Sequence, residues 1–321
     1  MTFLKSSLKV DIVEQIEKPN IAILLAVYNG TPWLDAQVES ILAQENVNIT
    51  LFISIDPSSD TSAQWCDSLA QKHHNVIIVD RGPSLMTAAQ NFFNLIRKVD
   101  FSAYEYISFS DQDDLWKSGK LSAAVNKLKN SKFDGYSSNV EAFWSNEKKE
   151  LINKAQKQTK WDYFFEAAGP GCTYVMTRKL MQDIQQCLTS QQKLSEGLRF
   201  HDWFCYAFAR ESNYHWFIDN NSYLHYRQHG ENVVGVNQGV KAFLHRAKHA
   251  LSGNAIEQSK ITFAILSKHL NSSPNIKLPS NRLDYLKLAC MCYQCRRSAK
   301  DKVFFFLFCS IMILYKKGSS K

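Results

Sequence analysis

Aliphatic runs of strand length alternate with amphipathic helical segments along the first 130 residues. Residues 21–27 form a continuous apolar run, as expected of a parallel strand buried on both faces, and Thr31 and Pro32 suit the first turn of a helix. The predicted strands cover 21–27, 49–55, 76–79 and 106–109, and the predicted helices begin at Thr31, Asp60 and Leu85. Such alternation predicts an α/β fold with a parallel sheet that binds ligands at the carboxyl ends of its strands.

The pattern becomes irregular after about residue 130. It predicts strands over 133–139, 172–177 and 214–218, and helices over 178–187 and 201–209. Residues 240–321 read as helical, with a break at 271–280. We therefore expect an N-terminal extension (1–20), an α/β unit (21–239) with halves at 21–130 and 131–239, and a helical C-terminal region (240–321).

The composition is that of a globular protein. Of 321 residues, 45% are hydrophobic, the mean hydropathy is −0.29, and no apolar run approaches the 18 residues that a membrane span needs. The first 20 residues scatter charges where a signal peptide would need an apolar stretch. With eight cysteines set mostly among apolar or helical neighbours, a reducing, cytoplasmic compartment is expected.

Positive charge is concentrated at the C-terminus. Residues 241–321 have a net charge of +12, whereas residues 1–240 have −4. A basic tail on an acidic body predicts an anionic partner, either nucleic acid or a phospholipid surface. The tail contains a 13-residue apolar stretch, 303–315, and no nucleic-acid-binding motif, which favours lipid.

As a helix, the stretch 303–315 would extend ~20 Å, short of the ~30 Å hydrocarbon core. We expect it to lie at the interface of an anionic membrane. The alternative is that it packs onto the body or a second subunit. The basic residues expected to meet headgroups are Arg296, Arg297, Lys300, Lys302, Lys316 and Lys317.

Three carboxylates crowd the end of the fourth predicted strand, in the motif DQDDLW at 111–116. Their mutual repulsion is relieved by a divalent cation, and ligands that are all oxygen favour Mg²⁺ or Mn²⁺ held between carboxylates and a substrate diphosphate. A solvated acidic turn that precedes the next helix is the alternative. Taken alone, the motif supports the two interpretations about equally.

Six motifs in order resemble those of the family 2 glycosyltransferases with the GT-A nucleotide-sugar fold. They are VYNG at 27–30, Asp56 with Ser58 and Asp60, DQDDLW at 111–116, GPGCT at 169–173, HDW at 201–203 and YRQHG at 226–230. The last two are most similar to those of bacterial rhamnosyltransferases that build O-antigen and other surface polysaccharides. The resemblance spans roughly residues 21–235.

The resemblance implies a nucleotide site at the first strands. Asp56 would bind the base, with the backbone of Ala26 and Val27 beside it, and Asn29 and Asp111 would complete the site, the latter facing the ribose. The chain departs from the family pattern at this point, because Ile55 replaces a common acid and Pro57 a common glycine. A helix-turn residue is the alternative for Asp56.

The resemblance also implies a metal site. Asp113 would hold the cation together with His229, Asp114 would support it, and Arg227 would contact the diphosphate. One alternative for His229 is a loop imidazole bonded to the backbone.

Asp202, in the HDW motif, has the chemistry of the general base that an inverting transfer needs. The alternative is a helix N-cap, and Glu196 and Glu211 are the next candidates for the base. Gly171, Cys172 and Thr173 would allow a sugar to approach the backbone closely, with Trp203 nearby. A simple turn is the alternative for 169–173.

These interpretations together predict an inverting, metal-dependent glycosyltransferase. The expected donor is dTDP-L-rhamnose, with a UDP-hexose as the rival, and the expected acceptor is a polyprenyl-diphosphate-linked glycan at the inner face of the cytoplasmic membrane. Two alternatives come from other functional classes. One is a non-catalytic nucleotide-sugar-binding protein on a membrane, against which Asp202 argues. The other is a nucleic-acid-binding protein. No nucleic-acid partner is expected.

Overall fold

The structure is a computed structural model, and it describes residues 17–79, 87–229 and 253–314. The described strands form one sheet in the order β3-β2-β1-β4-β8-β6-β9-β5, with β7 beside β6. The strands are β1 Asn20–Val27, β2 Asn48–Ile55, β3 Val76–Ile78, β4 Tyr106–Ser110, β5 Leu115–Trp116, β6 Gly135–Phe143, β7 Lys149–Ile152, β8 Val175–Thr177 and β9 Trp216–Arg227.

Helices cover both faces of this sheet. They are α1 Thr31–Leu42, α2 Ser62–Lys72, α3 Ala88–Lys98, α4 Lys120–Lys129, α5 Arg178–Ser190, α6 Gln192–Ser195, α7 His201–Glu211, α8 Asn254–His269, α9 Arg282–Cys290, α10 Cys292–Cys295 and α11 Ala299–Leu314. Two single 3₁₀ turns lie at Asp162–Phe164 and Gly171–Thr173. The α/β fold class is confirmed.

The first four strands are parallel, as the sequence predicts. The rest of the sheet is mixed, because β8 is antiparallel to both β4 and β6, and β9 runs parallel to β6. The register pairs Val27 with Ile55 and Leu25 with Ser110. The carboxyl ends of β1, β2 and β4 therefore meet at one edge of the sheet.

Alternate residues of β1 supply two hydrophobic cores. Ile21, Ile23 and Leu25 face a core built with α1, α2 and α4. Ala22 and Leu24 face the larger core, which includes α3, α5, α7 and the C-terminal helices. All five side chains are fully buried, which explains why the strand reads as one continuous apolar run.

Several element boundaries differ from those predicted, and three have a clear physical reason. The helix predicted from Leu85 begins at Ala88, where the Thr87 side chain accepts from the Gln90 N–H. The helix that follows the acidic motif begins at Lys120, because Leu115–Trp116 pairs with β9 as β5. The strand predicted from Cys172 begins at Val175, because the residues before it form the 3₁₀ turn.

The last helix packs one face onto the body. Phe305, Phe308 and Cys309 are buried in the larger core, and the Phe305 ring lies 4.9 Å from that of Phe165. The opposite face is exposed, since Phe306, Leu307 and Ile311 each expose nearly half of their surface. In the described part of this helix, packing onto the body concerns the buried face, and the proposed contact with a membrane concerns the exposed face.

The prediction for the two arginines is wrong. Arg297 is 4% exposed, and its guanidinium pairs with Asp162 (2.9 Å) while donating to the Ala167 carbonyl. Arg296 lies 3.6 Å from Glu166. Both arginines fasten the C-terminal helices to the body instead of pointing toward headgroups.

Some predictions fall outside the described residues. They concern Lys316, Lys317, residues 240–252 and most of 1–20.

Within the described residues, every helix is too short or too polar to cross a bilayer.

Candidate active site

The loops that follow β1 and β2 are tied together at the carboxyl edge of the sheet. Asn29 has a left-handed backbone (φ +46°), and its side-chain oxygen accepts from the Ser59 N–H at 2.8 Å. The Gly30 N–H donates to the Ser62 hydroxyl, and the Thr31 N–H to the Asp60 carboxylate. The residues that carried the resemblance here therefore hold two loops in a fixed relation.

The residues expected to bind the base lie at this edge. Asp56 is 7% exposed, and its N–H donates to the Val27 carbonyl at 2.8 Å. Val27 is fully buried and Ala26 half-buried, so only their backbone is suited to meet a ligand. The contact of these residues with a base stays a prediction.

Gln112 fastens the acidic motif to the first loop, a role that the sequence analysis missed. Its amide oxygen accepts from the Tyr28 N–H (2.9 Å), and its amide nitrogen donates to the Tyr28 carbonyl (2.8 Å). A Cβ at Gly30 would lie 2.5 Å from the same oxygen, so the glycine is needed for this close approach. The spacing of 84 residues offers no local signal for the pair.

Asp113 and His229 meet, as the resemblance implied. The carboxylate Oδ2 lies 2.7 Å from the imidazole Nε2, with side-chain exposures of 12% and 16%. Two atoms that each lie ~2.1 Å from one octahedral cation are about 3 Å apart. The pair therefore fits a divalent cation that keeps its remaining positions for diphosphate oxygens and water. An oxygen and an imidazole donor together suit Mn²⁺ at least as well as Mg²⁺.

Arg227 is held beside this pair. Its Nε–H donates to the Asp113 carbonyl (2.9 Å), and its backbone N–H donates to the Asp114 carboxylate (3.2 Å). The guanidinium lies over the rings of Trp33 and Phe143, at 4.8 and 4.7 Å from their centroids. These contacts give Arg227 a positioning role, and its contact with a diphosphate stays a prediction.

A buried cluster lies behind the acidic motif. Ligand atoms of Asp111, Asp114 and Cys172 lie within 4.8 Å of one another, and the ammonium of fully buried Lys120 contacts the Ser108 hydroxyl and the Trp116 ring. Burial raises the pKa of the Cys172 thiol well above its usual range, and its side chain is hydrogen-bonded to Asp114. Cys172, which lies in the 3₁₀ turn, thus packs against two carboxylates of the motif.

The electrostatics of the cluster follow from burial. Burial, with the charges of Asp113 and Asp202, raises the pKa of Asp111 to about 7. Burial and the neighbouring carboxylates raise the pKa of Asp114 as well, whereas burial lowers that of Lys120 to about 7. Lys120 and Cys172 were missed as partners of the motif, and for Cys172 the distance along the chain explains why.

Asp202 lies in the first turn of α7, and Phe200, not Asp202, is the N-cap residue. Its carboxylate accepts from the Trp203 N–H at 2.7 Å. Burial raises the pKa of Asp202 to about 6, although backbone N–H groups and the charge of Lys154 act in the opposite direction. A carboxylate with this pKa suits a general base near neutral pH.

The 169–173 turn lies directly against Asp202. A Cβ at Gly171 would be 3.1 Å from the Asp202 Cβ and 2.8 Å from the His201 Nε2, so this position requires glycine. Burial lowers the pKa of His201 to about 3, and this neutral ring stacks on Phe92. Thr173 bonds the Pro170 carbonyl, Trp203 bonds the Tyr163 carbonyl, and both are nearly buried. Gly171, Cys172 and Thr173 are all buried, and their contact with a sugar stays a prediction.

Comparisons with known proteins agree with this geometry. The model of "Glycosyl transferase family 2" matches residues 22–180. The chain is 37% identical over 284 residues to the dTDP-rhamnosyl transferase RfbG of Shigella flexneri, and the match covers 88% of this chain and 98% of the relative. The chain belongs to glycosyl transferase family 2. It is a nucleotide-sugar glycosyltransferase.

Solved structures resemble this glycosyltransferase in fold. The S. aureus TarS fragment 1–349 with UDP-GlcNAc aligns with a TM-score of 0.52 at 13% identity, covering 92% of this chain and 88% of that chain. The mannosyltransferase PcManGT of Pyrobaculum calidifontis, with GDP-Man and Mn²⁺, aligns with a TM-score of 0.51 at 12% identity, covering 94% and 89%. At these identities the likeness shows the GT-A fold alone.

Proposed function

We propose that this glycosyltransferase moves L-rhamnose from dTDP-L-rhamnose to a hydroxyl of a lipid-linked glycan, with inversion and with a divalent cation. The proposed sugar is supported by the relative named as a dTDP-rhamnosyl transferase, at 37% identity over nearly its whole length. The observation that carries the mechanism is the arrangement of the carboxylates: Asp113 contacts His229, while Asp202 is half-buried and packs against the glycine turn.

Asp113 and His229 would hold Mg²⁺ or Mn²⁺ at the diphosphate. When bound, the cation neutralises the charge that develops on the leaving diphosphate. The fold neighbour PcManGT is described with Mn²⁺. Asp114, which accepts from the Arg227 N–H, would keep the motif backbone in place for this pair.

The donor nucleotide would lie along the ends of β1, β2 and β4. Asp56 would bind the base beside Ala26 and Val27, and Asp111 would face the ribose. The side chain of Asn29 bonds the Ser59 N–H, so Asn29 would act by shaping the loop. Burial and the charges of Asp113 and Asp202 raise the pKa of Asp111, and a ligand hydroxyl or a nearby cation would favour its ionised form.

Asp202 would take the proton from the acceptor hydroxyl as that oxygen attacks the anomeric carbon. The close packing of Gly171 against His201 and Asp202 would hold this carboxylate in place. A hydroxyl attacking from the Asp202 side, with the diphosphate leaving toward Asp113, gives inversion at the anomeric carbon.

We also propose that the enzyme meets an anionic membrane from the cytoplasmic side. The exposed apolar residues of the C-terminal helices include Val303, Phe306, Leu307, Ile311 and Leu314 of α11, with Leu283 and Leu286 of α9 and Tyr293 of α10. Exposed Arg282 and Lys300 lie in the same region of the chain. An apolar face with neighbouring cations is typical of interfacial binding, where a polyprenyl-linked acceptor would be found.

Calorimetry of the Asp113→Ala variant tests the metal and donor assignment. We expect its affinity for dTDP in Mn²⁺ to fall at least about tenfold, since groups that merely orient metal ligands are already worth that much. The matched control is Asp183→Ala, which removes a surface carboxylate paired with Lys179. Unchanged affinity and unchanged dependence on Mn²⁺ in a folded Asp113→Ala protein would show that the assignment is wrong.

A further inference from the structure

Trp33, in the first turn of α1, contacts the end of β9. Its ring stacks on the His229 imidazole with centroids 5.0 Å apart and an interplanar angle of 21°, and the Arg227 guanidinium lies 4.8 Å from its centroid. The aromatic ring thus touches two side chains that lie two residues apart and therefore on the same side of an extended segment.

The backbone of Trp33 is fixed by its own loop. Pro32 lies at the start of α1, and the Trp33 N–H donates to the Gly30 carbonyl at 2.9 Å. Gly30 is in turn held by Ser62 and packed against Gln112. The Trp33 side chain therefore projects from a segment that is hydrogen-bonded to the loop after β2 and packed against the acidic motif.

Arg227 extends the contact to the motif itself. Its guanidinium also lies 4.7 Å from the Phe143 centroid, and its Nε–H donates to the carbonyl of Asp113. Arg227 thus holds the Asp113 backbone, and the His229 imidazole contacts the Asp113 carboxylate. Trp33 contacts both Arg227 and His229.

We propose that Trp33 is a positioning residue that orients His229 and, through Arg227, Asp113 for binding of a divalent cation with the donor diphosphate. This inference rests on the proposed role of Asp113 and His229. A stacked ring restricts rotation of the imidazole, so less orientational freedom is lost when the cation binds. The competing explanation is that Trp33 only packs the end of β9 against α1, in which case any apolar side chain of similar size would serve.

The two explanations differ in what Trp33→Leu and Trp33→Phe do to Mn²⁺ binding. Leucine fills much of the space without a ring, whereas phenylalanine restores stacking. We expect Trp33→Leu to weaken Mn²⁺ binding in the presence of dTDP about tenfold, measured by electron paramagnetic resonance of free Mn²⁺, and Trp33→Phe to recover most of that loss. Trp65→Leu is the matched control, since Trp65 is another half-buried tryptophan that follows an early strand, and it bonds Asp35 instead.

His229→Ala separates a failure of this inference from a failure of the metal assignment. If His229→Ala weakens Mn²⁺ binding but Trp33→Leu leaves it at the parental value, the positioning role is overturned and the metal site stands. Equal losses in the leucine and phenylalanine variants would also overturn it, because restoring an aromatic ring would then make no difference to Mn²⁺ binding. If His229→Ala itself binds Mn²⁺ as the parent does, the metal assignment fails and the inference fails with it.

Discussion

Burial and partners, more than residue type, separate the carboxylates of this site. Asp113 is slightly exposed and faces an imidazole, whereas Asp114 is fully buried near a lysine. Asp202 packs against a glycine turn near Asp111, and burial raises the pKa of Asp202 to about 6. Environments that push the pKa values of acidic groups apart are how one site assigns different tasks to the same side chain.

Asp202→Asn separates binding from turnover. The amide keeps the shape of the carboxylate but accepts no proton, so kcat should fall at least ~10²-fold while donor affinity stays at the parental value. Rates are measured in a transfer assay and affinities by calorimetry. If the Asp202→Asn variant turns over at close to the parental rate, Asp202 is not the base, and Glu196 and Glu211 are the next residues to test.

The pH profile of the parent enzyme adds a second test of Asp202. A base acts in its ionised form, and the pKa of Asp202 is about 6. We therefore expect kcat/KM for the acceptor to be level above this value and to fall as the pH drops through about 6, because the carboxylate becomes protonated. A rate that does not change between pH 5 and pH 7, on the order of one unit to either side of this value, would contradict the assignment.

Among the helices, α11 has two faces in different environments. The inward face joins the larger core, and the segment before it is fastened by Arg297, which pairs with Asp162 and Glu166. The outward face exposes apolar side chains. The alternatives left open by the sequence are therefore tested on different residues.

Arg297→Met tests the fastening. It leaves buried carboxylates with one cation fewer, and breaking a buried pair from one side typically costs about 3 kcal/mol or more. We expect a clear drop in the urea midpoint, larger than that of Arg296→Met, whose side chain is 22% exposed. Equal, small effects of both variants would mean that the C-terminal helices are held by apolar packing alone.

The double variant Leu307→Ser with Ile311→Ser tests the outward face. Both side chains are about half exposed, so the fold should tolerate the change, while co-sedimentation with phosphatidylglycerol vesicles should weaken at least about tenfold. Transfer to a short soluble acceptor should continue at the parental rate. Leu151→Ser removes an exposed leucine of β7 as the control, and undiminished vesicle binding of the double variant would rule out this surface.

For the molecule as a whole, local patterns in the sequence predicted the regular elements. The parallel strands β1 to β4 and the helices between them follow from aliphatic runs and turn residues, and Asp113 and His229, which the motifs paired, are in contact. Contacts between residues far apart in the chain were not predictable, such as Gln112 with Tyr28 and Trp33 with His229. Arg297 was misinterpreted because charge along the chain does not reveal which cation a fold will bury.

The distribution of charge and apolar surface gives the molecule a direction. The acidic motif lies in the acidic body, and the exposed apolar face lies in the basic C-terminal part. The proposed transfer of sugar to a lipid-linked acceptor would use both, with the donor bound by the body and the apolar face near lipid.

The most direct test is nuclear magnetic resonance of the product formed from dTDP-L-rhamnose and a glycan acceptor in Mn²⁺, with UDP-hexoses offered in parallel. We expect a rhamnosyl product whose anomeric configuration is opposite to that of the donor. We also expect no product when a metal chelator is present, and little transfer from UDP-hexoses. Retained configuration, equal transfer with the chelator, or transfer from a UDP-hexose but not from dTDP-L-rhamnose would contradict it.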